Sequence, residues 1–198
     1  MQKIKENKII SLAIPATIEN ILQTLVGFID SLMIARIGLA AVTAVGIANS
    51  ILNVYLAVFI ALGVGASSLI AQKLGAKKKE EAYIVTNQAV LIAILIGFLF
   101  GAISILFGQP LLSMMGASEE ILKSSEQFFY IVGGTSVFIS LMTIFGSILR
   151  ATEDAKTPMK VSIIVNIVNI CLDYVLIFGL GPIPALGVIG TAIGTVIS

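Results

Sequence analysis

Three carboxylates lie inside stretches of the sequence that are otherwise apolar: Glu19, Asp30 and Asp173. An ionisable side chain at membrane depth is costly, and such residues usually face a bundle interior or a water-filled cavity and mark a path for ions. The sequence therefore predicts cation or proton binding at Asp30 and Asp173, with Glu19 as a secondary candidate. The alternative for Asp30 and Asp173 is a position near a helix end, solvated at the membrane surface.

Two amides accompany Asp173. Asn166, Asn169 and Asp173 are spaced by three and four residues, which places them on one face of a helix. Carboxylate and amide oxygens suit a hard cation such as Na⁺, which Asp30, Asn169 and Asp173 could hold together, while a carboxylate among apolar side chains can instead carry a proton. Both ions remain open, and Asn166 or Asn169 could also serve only as interhelical hydrogen-bonding partners.

Other polar or helix-bending residues lie on the same or a neighbouring predicted helix. Thr191 enters the next helix at a depth comparable to that of Asp30 and Asp173, where its hydroxyl could join a cation site or simply pack. Pro15 removes a backbone donor from the first helix and is expected to bend it, unless it is an ordinary proline near a helix start. Glu19 is either a cavity acid or a partner for Gln23.

The composition places these residues in a membrane. The 198 residues are 58% hydrophobic and only 12% charged, with a mean hydropathy of +1.07, whereas soluble domains carry about 25% charged residues. A soluble domain is excluded. Because a span needs about 20 apolar residues, the pattern predicts an all-α polytopic protein, in one domain over 1–198, with spans near 8–35, 43–72, 82–107, 121–149, 158–179 and 186–198.

The distribution of Lys and Arg predicts the orientation, because cytoplasmic loops hold the positive excess. The amino-terminal side would carry ten: Lys3, Lys5, Lys8, Lys73, Lys77, Lys78, Lys79, Arg150, Lys156 and Lys160. The opposite side would carry Arg36 and Lys123. The amino terminus is therefore expected in the cytoplasm.

Several function classes find no support. The sequence has no His, no phosphate-cradling Gly-rich motif and no nucleophile–base pair, so neither an ATP-driven pump nor another enzyme is indicated, and no resident cofactor is expected. The near-zero net charge of +1 indicates no nucleic-acid partner. The sixth span would reach only about 20 Å across a core of about 30 Å, so we expect a fragment of a longer protein.

Five segments together resemble the multidrug and toxic compound extrusion (MATE) family, within it the prokaryotic DinF-like branch. They are IPATIEN at 14–20, VGFIDSLMIARIG at 26–38, LRATEDAKTPM at 149–159, NIVNICLD at 166–173 and FGLGPIPALGV at 178–188. One departure is Phe128, where family members often have Tyr; Tyr130 lies two residues further on.

The resemblance implies the amino-terminal six-helix lobe of a 6+6 antiporter in the prokaryotic inner membrane. Such a protein exchanges H⁺ or Na⁺ for cationic amphipathic drugs. Its cation-binding residues would be Asp30, Asp173, Asn169 and Thr191, and Pro15 would be the bending point. The carboxyl-terminal lobe, or a second chain, would complete it.

Two other functions are open from the sequence. One is a lipid-linked oligosaccharide flippase of the same superfamily, which should have a basic cavity for a pyrophosphate, whereas the intramembrane charges here are acidic. The other is a half-length membrane module that pairs with a second chain.

Overall fold

The computed structural model describes the backbone of residues 2–198 and the side chains of residues 13–198. The basic side chains of Lys3, Lys5 and Lys8 lie outside that described part. Within it the chain forms seven helices: α1 (Gln2–Ala35), α2 (Leu39–Gly75), α3 (Lys79–Met114), α4 (Glu119–Gly134), α5 (Ser136–Ala151), α6 (Lys156–Phe178) and α7 (Val188–Ile197).

Four helical segments are long and apolar enough to cross a membrane: 13–35 of α1, and the whole of α2, α3 and α6. The pair α4 and α5 reaches that length only when taken together, and α7 is a shorter apolar helix. Because the connections between consecutive long helices are short, neighbours run antiparallel. We call the side with the α2–α3 and α5–α6 connections the amino-terminal side, and the other the opposite side.

The stretch 121–149, predicted as one span, forms the two helices α4 and α5, and the chain bends by 48° between them. The break follows the pair Gly133 and Gly134, residues of low helix propensity. The Thr135 hydroxyl donates to the carbonyl of Ile131 at 2.8 Å, and the Ser136 hydroxyl donates to that of Gly133 at 2.5 Å. These hydroxyls satisfy carbonyls near the bend inside an apolar environment, where water cannot.

The helices form two groups. In the first, α2 packs against α3, α4 and α5, and in the second, α6 lies between α1 and α7. Tyr55 and Phe59 of α2 meet Phe100 of α3 in the core of the first group, with ring centroids 4.2 and 5.6 Å from that of Phe100. The groups join closely where α7 packs on α4, whereas α1–α2 and α5–α6 contacts are sparse. A seam therefore runs between the two groups.

Candidate cation site

The structure places Asp30 and Asp173 at corresponding levels of two packed helices. Asp30 lies five residues before the end of α1, and Asp173 five residues before the end of α6. The two helices run in the same direction and pack together. Asp173 is fully buried at 0% exposure, and Asp30 is half-buried.

Buried polar atoms without partners concentrate on these residues. Among the side chains of residues 13–198, four fully buried oxygens have no hydrogen-bond partner: Asp30 Oδ1, both carboxylate oxygens of Asp173, and Thr191 Oγ1. An unsatisfied buried polar atom costs about 1–3 kcal/mol, so native proteins rarely leave one without a role. All four belong to residues that the sequence singled out for cation binding.

A cavity of about 320 Å³ lies on the seam, toward the opposite side, beside Asp30 and Thr191. Asp30 of α1 and Thr191 of α7 both line it, together with Thr195 and with Phe128 of α4. Asn49 of α2 lines it too. Sequence reasoning missed Asn49, although an amide within the predicted span 43–72 was a usable signal.

Helix α7 closes the site against α6 through two glycines. A Cβ at Gly194 would collide with Oδ1 of Asp173, and a Cβ at Gly190 would lie 2.5 Å from the carbonyl oxygen of Leu176. The spacing of Gly190 and Gly194 predicts close helix packing. The structure adds that Gly194 borders the Asp173 carboxylate itself.

The structure places Asn166 and Asn169 of α6 in two different environments. Asn169 is buried at 7% exposure, one turn before Asp173. Asn166 instead lines a different cavity toward the amino-terminal side, where its amide lies 3.5 Å from the Ser162 hydroxyl. The three residues share one helical face, but only Asn169 accompanies Asp173 into the buried site.

Glu19 is likewise separate from Asp30. It lines the cavity with Asn166 and forms an ion pair with Arg150 of α5, a partner that the sequence did not suggest, with Glu19 Oε2 and Arg150 Nη1 3.3 Å apart. Gln23 lines the same cavity. Sequence reasoning missed this pairing because 131 residues separate the partners.

Pro15 and Phe128 also have defined places. Pro15 is buried within α1, which continues as one helix from Gln2 to Ala35, so its bending role stays a prediction. Phe128 is 3% exposed and faces the Asp30 cavity. The Tyr130 hydroxyl donates to Glu126 at 2.6 Å, and Tyr130 does not line that cavity.

Comparison with known proteins identifies the family. A sequence model of the MatE family matches residues 15–175. The chain belongs to the MatE family. The resemblance to MATE transporters is thereby confirmed, as is the all-α membrane fold of their amino-terminal lobe.

Three similar proteins illustrate the match. The uncharacterized transporter YisQ of Bacillus subtilis is 35% identical over 98% of this MatE chain, which covers 43% of it. A probable multidrug resistance protein NorM of Thermotoga maritima is 32% identical over 96% of the chain, which covers 41% of it. A MOP superfamily transporter from Pyrococcus furiosus superposes with a TM-score of 0.89 at 28% identity, over 96% of this chain and 41% of that one. The chain thus spans less than half the length of these relatives.

Proposed function

We propose that this chain is the cation-binding amino-terminal lobe of a multidrug efflux antiporter of the MatE family, driven by inward movement of H⁺ or Na⁺. The observation that supports it most strongly is the set of four partnerless buried oxygens on Asp30, Asp173 and Thr191. The fully buried carboxylate of Asp173 and the half-buried one of Asp30, on two packed helices, are costly to keep ionised together without a counter-charge. A proton or a Na⁺ ion supplies that charge, and Na⁺ also takes the free oxygens as ligands.

The coupling cation, the drug and the rest of the transporter each have a place in this proposed function. The coupling cation binds at Asp30, Asp173, Asn169 and Thr191, and a cationic amphipathic drug competes for the same lobe. The lysine-rich amino-terminal side faces the cytoplasm of a prokaryotic cell, so the Asp30 cavity opens outward. A carboxyl-terminal lobe or a second chain completes the transport path.

The flippase alternative is disfavoured by the cavity linings. A cavity that grips a pyrophosphate needs Arg or Lys. The side chains that line the Asp30 cavity include none, and Arg150, which lines the cavity that contains Glu19, is paired with that carboxylate.

Cation binding to the purified chain tests the proposal. Thermal unfolding is followed in detergent while NaCl replaces KCl at constant ionic strength, and separately across pH. We expect Na⁺ or H⁺ to stabilise the chain, and Asp30→Asn and Asp173→Asn each to reduce the apparent cation affinity at least 10-fold. The near-isosteric amide preserves packing while removing the charge.

Glu126→Gln is the matched control, because Glu126 is a half-buried acid of the same bundle that pairs with Tyr130 outside the cavity. Its cation response should equal that of the wild type. Equal cation responses in both Asp variants and the wild type would contradict the assignment. Drug transport is then measured in proteoliposomes that hold a complete two-lobe protein containing this chain.

A further inference from the structure

A second cavity, which we call the Glu19 cavity, lies on the same seam toward the amino-terminal side. It has a volume of about 540 Å³ and receives side chains from α1, α2, α5 and α6. Eleven residues separate Glu19 from Asp30 along α1, which is about 16 Å along the helix axis. The Glu19 cavity and the Asp30 cavity share no lining residue, so they are distinct sites.

The Glu19 cavity combines one acid with amides and an apolar wall. Glu19, Asn20, Gln23 and Asn166 supply polar groups. The apolar wall is made of side chains from three helices: Leu56, Ile60, Met142, Val161 and Val165. A carboxylate beside apolar surface is the complement of an organic cation with a hydrophobic body.

The Glu19 carboxylate is already paired with a positively charged side chain of the protein. The guanidinium of Arg150 reaches Glu19 across the cavity from the end of α5, and its terminal nitrogens lie over Gly146, where a Cβ would be 3.3 Å from Nη2. The hydrogen bond is single, from Nη1 to Oε2 at 3.3 Å, rather than the paired, shorter contact typical of a strong Arg–carboxylate interaction. Helices α1 and α5 are not among the closely packed pairs, so the ion pair bridges an opening instead of reinforcing a contact.

Arg150 also belongs to the segment 149–159, whose role the Asp30 site does not explain. Its Pro158 is buried and lines the Glu19 cavity, while Asp154 accepts hydrogen bonds from the start of α6. One end of the segment therefore contributes a cation to the cavity and the other end contributes part of its wall.

We propose that the Glu19 cavity is a second binding site for organic cations, in which Arg150 is a resident cation that the incoming one displaces from Glu19. This inference rests on the proposed function, since it names where a cationic drug binds in the lobe. Glu19 is then the residue that selects for positive charge. Arg150 lowers the affinity for every such ligand, because the ligand must displace it from Glu19.

The test measures binding of ethidium to the purified chain by fluorescence anisotropy at fixed pH and Na⁺ concentration. Glu19→Gln should weaken ethidium binding at least 10-fold, because the carboxylate is lost. Arg150→Gln should strengthen it 3- to 10-fold, because the competitor is lost. The double variant should bind as weakly as Glu19→Gln alone.

Two matched controls separate this effect from changes in overall charge. Lys156→Gln removes an exposed positive charge from the same side of the bundle, and Glu126→Gln removes an acid outside the cavity. Neither should change ethidium affinity by more than 2-fold. Thermal unfolding of each variant confirms that it is folded.

The opposite effects of the two variants decide the result. A purely structural ion pair predicts weaker or unchanged binding in both, and that result would overturn the proposal, as would no ethidium binding by the folded wild type. If Glu19→Gln and Arg150→Gln behave as expected while wild-type ethidium binding ignores pH and Na⁺, the second site stands and the coupling in the proposed function fails. If binding responds to pH or Na⁺ but not to these variants, only the second site fails.

Discussion

The hydroxyl of Thr191 is the one uncharged group among the partnerless buried atoms of residues 13–198. Its side chain is 3% exposed and lies on the wall of the Asp30 cavity. A buried hydroxyl with no partner destabilises a protein unless a ligand takes it up. Removal of the Thr191 hydroxyl should therefore have opposite effects on folding stability and on cation affinity.

Thr191→Val tests that separation, because valine keeps the shape and removes the hydroxyl. We expect stability without cation to stay equal or rise by up to about 1 kcal/mol, since an unsatisfied group is removed. The apparent Na⁺ or H⁺ affinity should fall 3- to 10-fold. Thermal unfolding with and without cation measures both quantities.

Thr195→Val is its control, because Thr195 lines the same cavity one turn further along α7 and its hydroxyl is already bonded to the Thr191 carbonyl at 2.9 Å. It should leave cation affinity within 2-fold of the wild type. A loss of cation affinity in Thr195→Val but not in Thr191→Val would show that the wrong threonine has been assigned.

Helix α7 positions Thr191 and closes the site through Gly194. A glycine in a helix is intrinsically less favourable than alanine by about 1 kcal/mol. The Asp173 carboxylate occupies the space that a Cβ at Gly194 would need. The close approach of α6 and α7 therefore depends on that missing side chain.

Gly194→Ala should accordingly destabilise the chain by about 1–3 kcal/mol, as overpacking does, and weaken the response to cation. Gly65→Ala on α2 is the comparison, because no atom lies within 4 Å of the added Cβ. That variant should be neutral or up to about 1 kcal/mol more stable. Equal stability changes in the two variants, measured by thermal unfolding, would disprove the packing role of Gly194.

The start of α6 is held by Asp154, in the connection that follows α5. Its carboxylate accepts hydrogen bonds from the Thr157 hydroxyl at 2.6 Å and from the backbone N–H groups of Thr157 and Lys156 at 3.0 and 3.1 Å. These bonds, those from Thr157 first, hold the pKa of Asp154 below its ordinary value. The ionised form is favoured in the folded state.

The pH dependence of Asp154→Asn follows from that lowered pKa. The extra stability that the carboxylate provides is present above the pKa of the unfolded chain and is lost as pH falls through the lower folded-state pKa. Asp154→Asn should therefore be less stable than the wild type near neutral pH, and the difference should disappear in acid. Unfolding curves compared across pH measure this, and a difference that grows on acidification would refute the capping role.

At the scale of the whole lobe, the seam between the two helix groups contains both the Glu19 cavity and the Asp30 cavity. Ligands bound at two places on one seam influence each other if they favour different arrangements of the groups. Such coupling is reciprocal, because it is a single free energy shared by both ligands.

We therefore expect Na⁺ or H⁺ to weaken ethidium binding, and ethidium to weaken cation binding, by the same factor, on the order of 5- to 150-fold. Ethidium titrations at several cation concentrations give one factor, and cation titrations monitored by thermal stability at several ethidium concentrations give the other. The Asp30→Asn variant should show a factor near 1. Unequal factors in the wild type would mean that the observed effects are not competition within one folded lobe.

The amino-acid sequence alone was sufficient for the membrane environment, the helical class and the family, and it pointed to the acids of the candidate site. These follow from local properties: apolar runs of spanning length, the three- and four-residue spacing of Asn166, Asn169 and Asp173, and short motifs such as that at 149–159. Each of these signals is contained within one helix or one connection, so it can be read without knowing what packs against it.

Tertiary structure decided which of these residues meet. The Glu19–Arg150 ion pair, the place of Asn49 and the separation of Asn166 from Asn169 depend on contacts between helices far apart in the chain. The bend between α4 and α5 likewise follows the α4 glycines that pack against α3, a Cβ at Gly101 being 2.9 Å from the Gly134 carbonyl oxygen. Helix periodicity shows which residues share a face of one helix, but it does not show which other helix packs against that face. Only that packing determines which buried oxygens remain without hydrogen-bond partners.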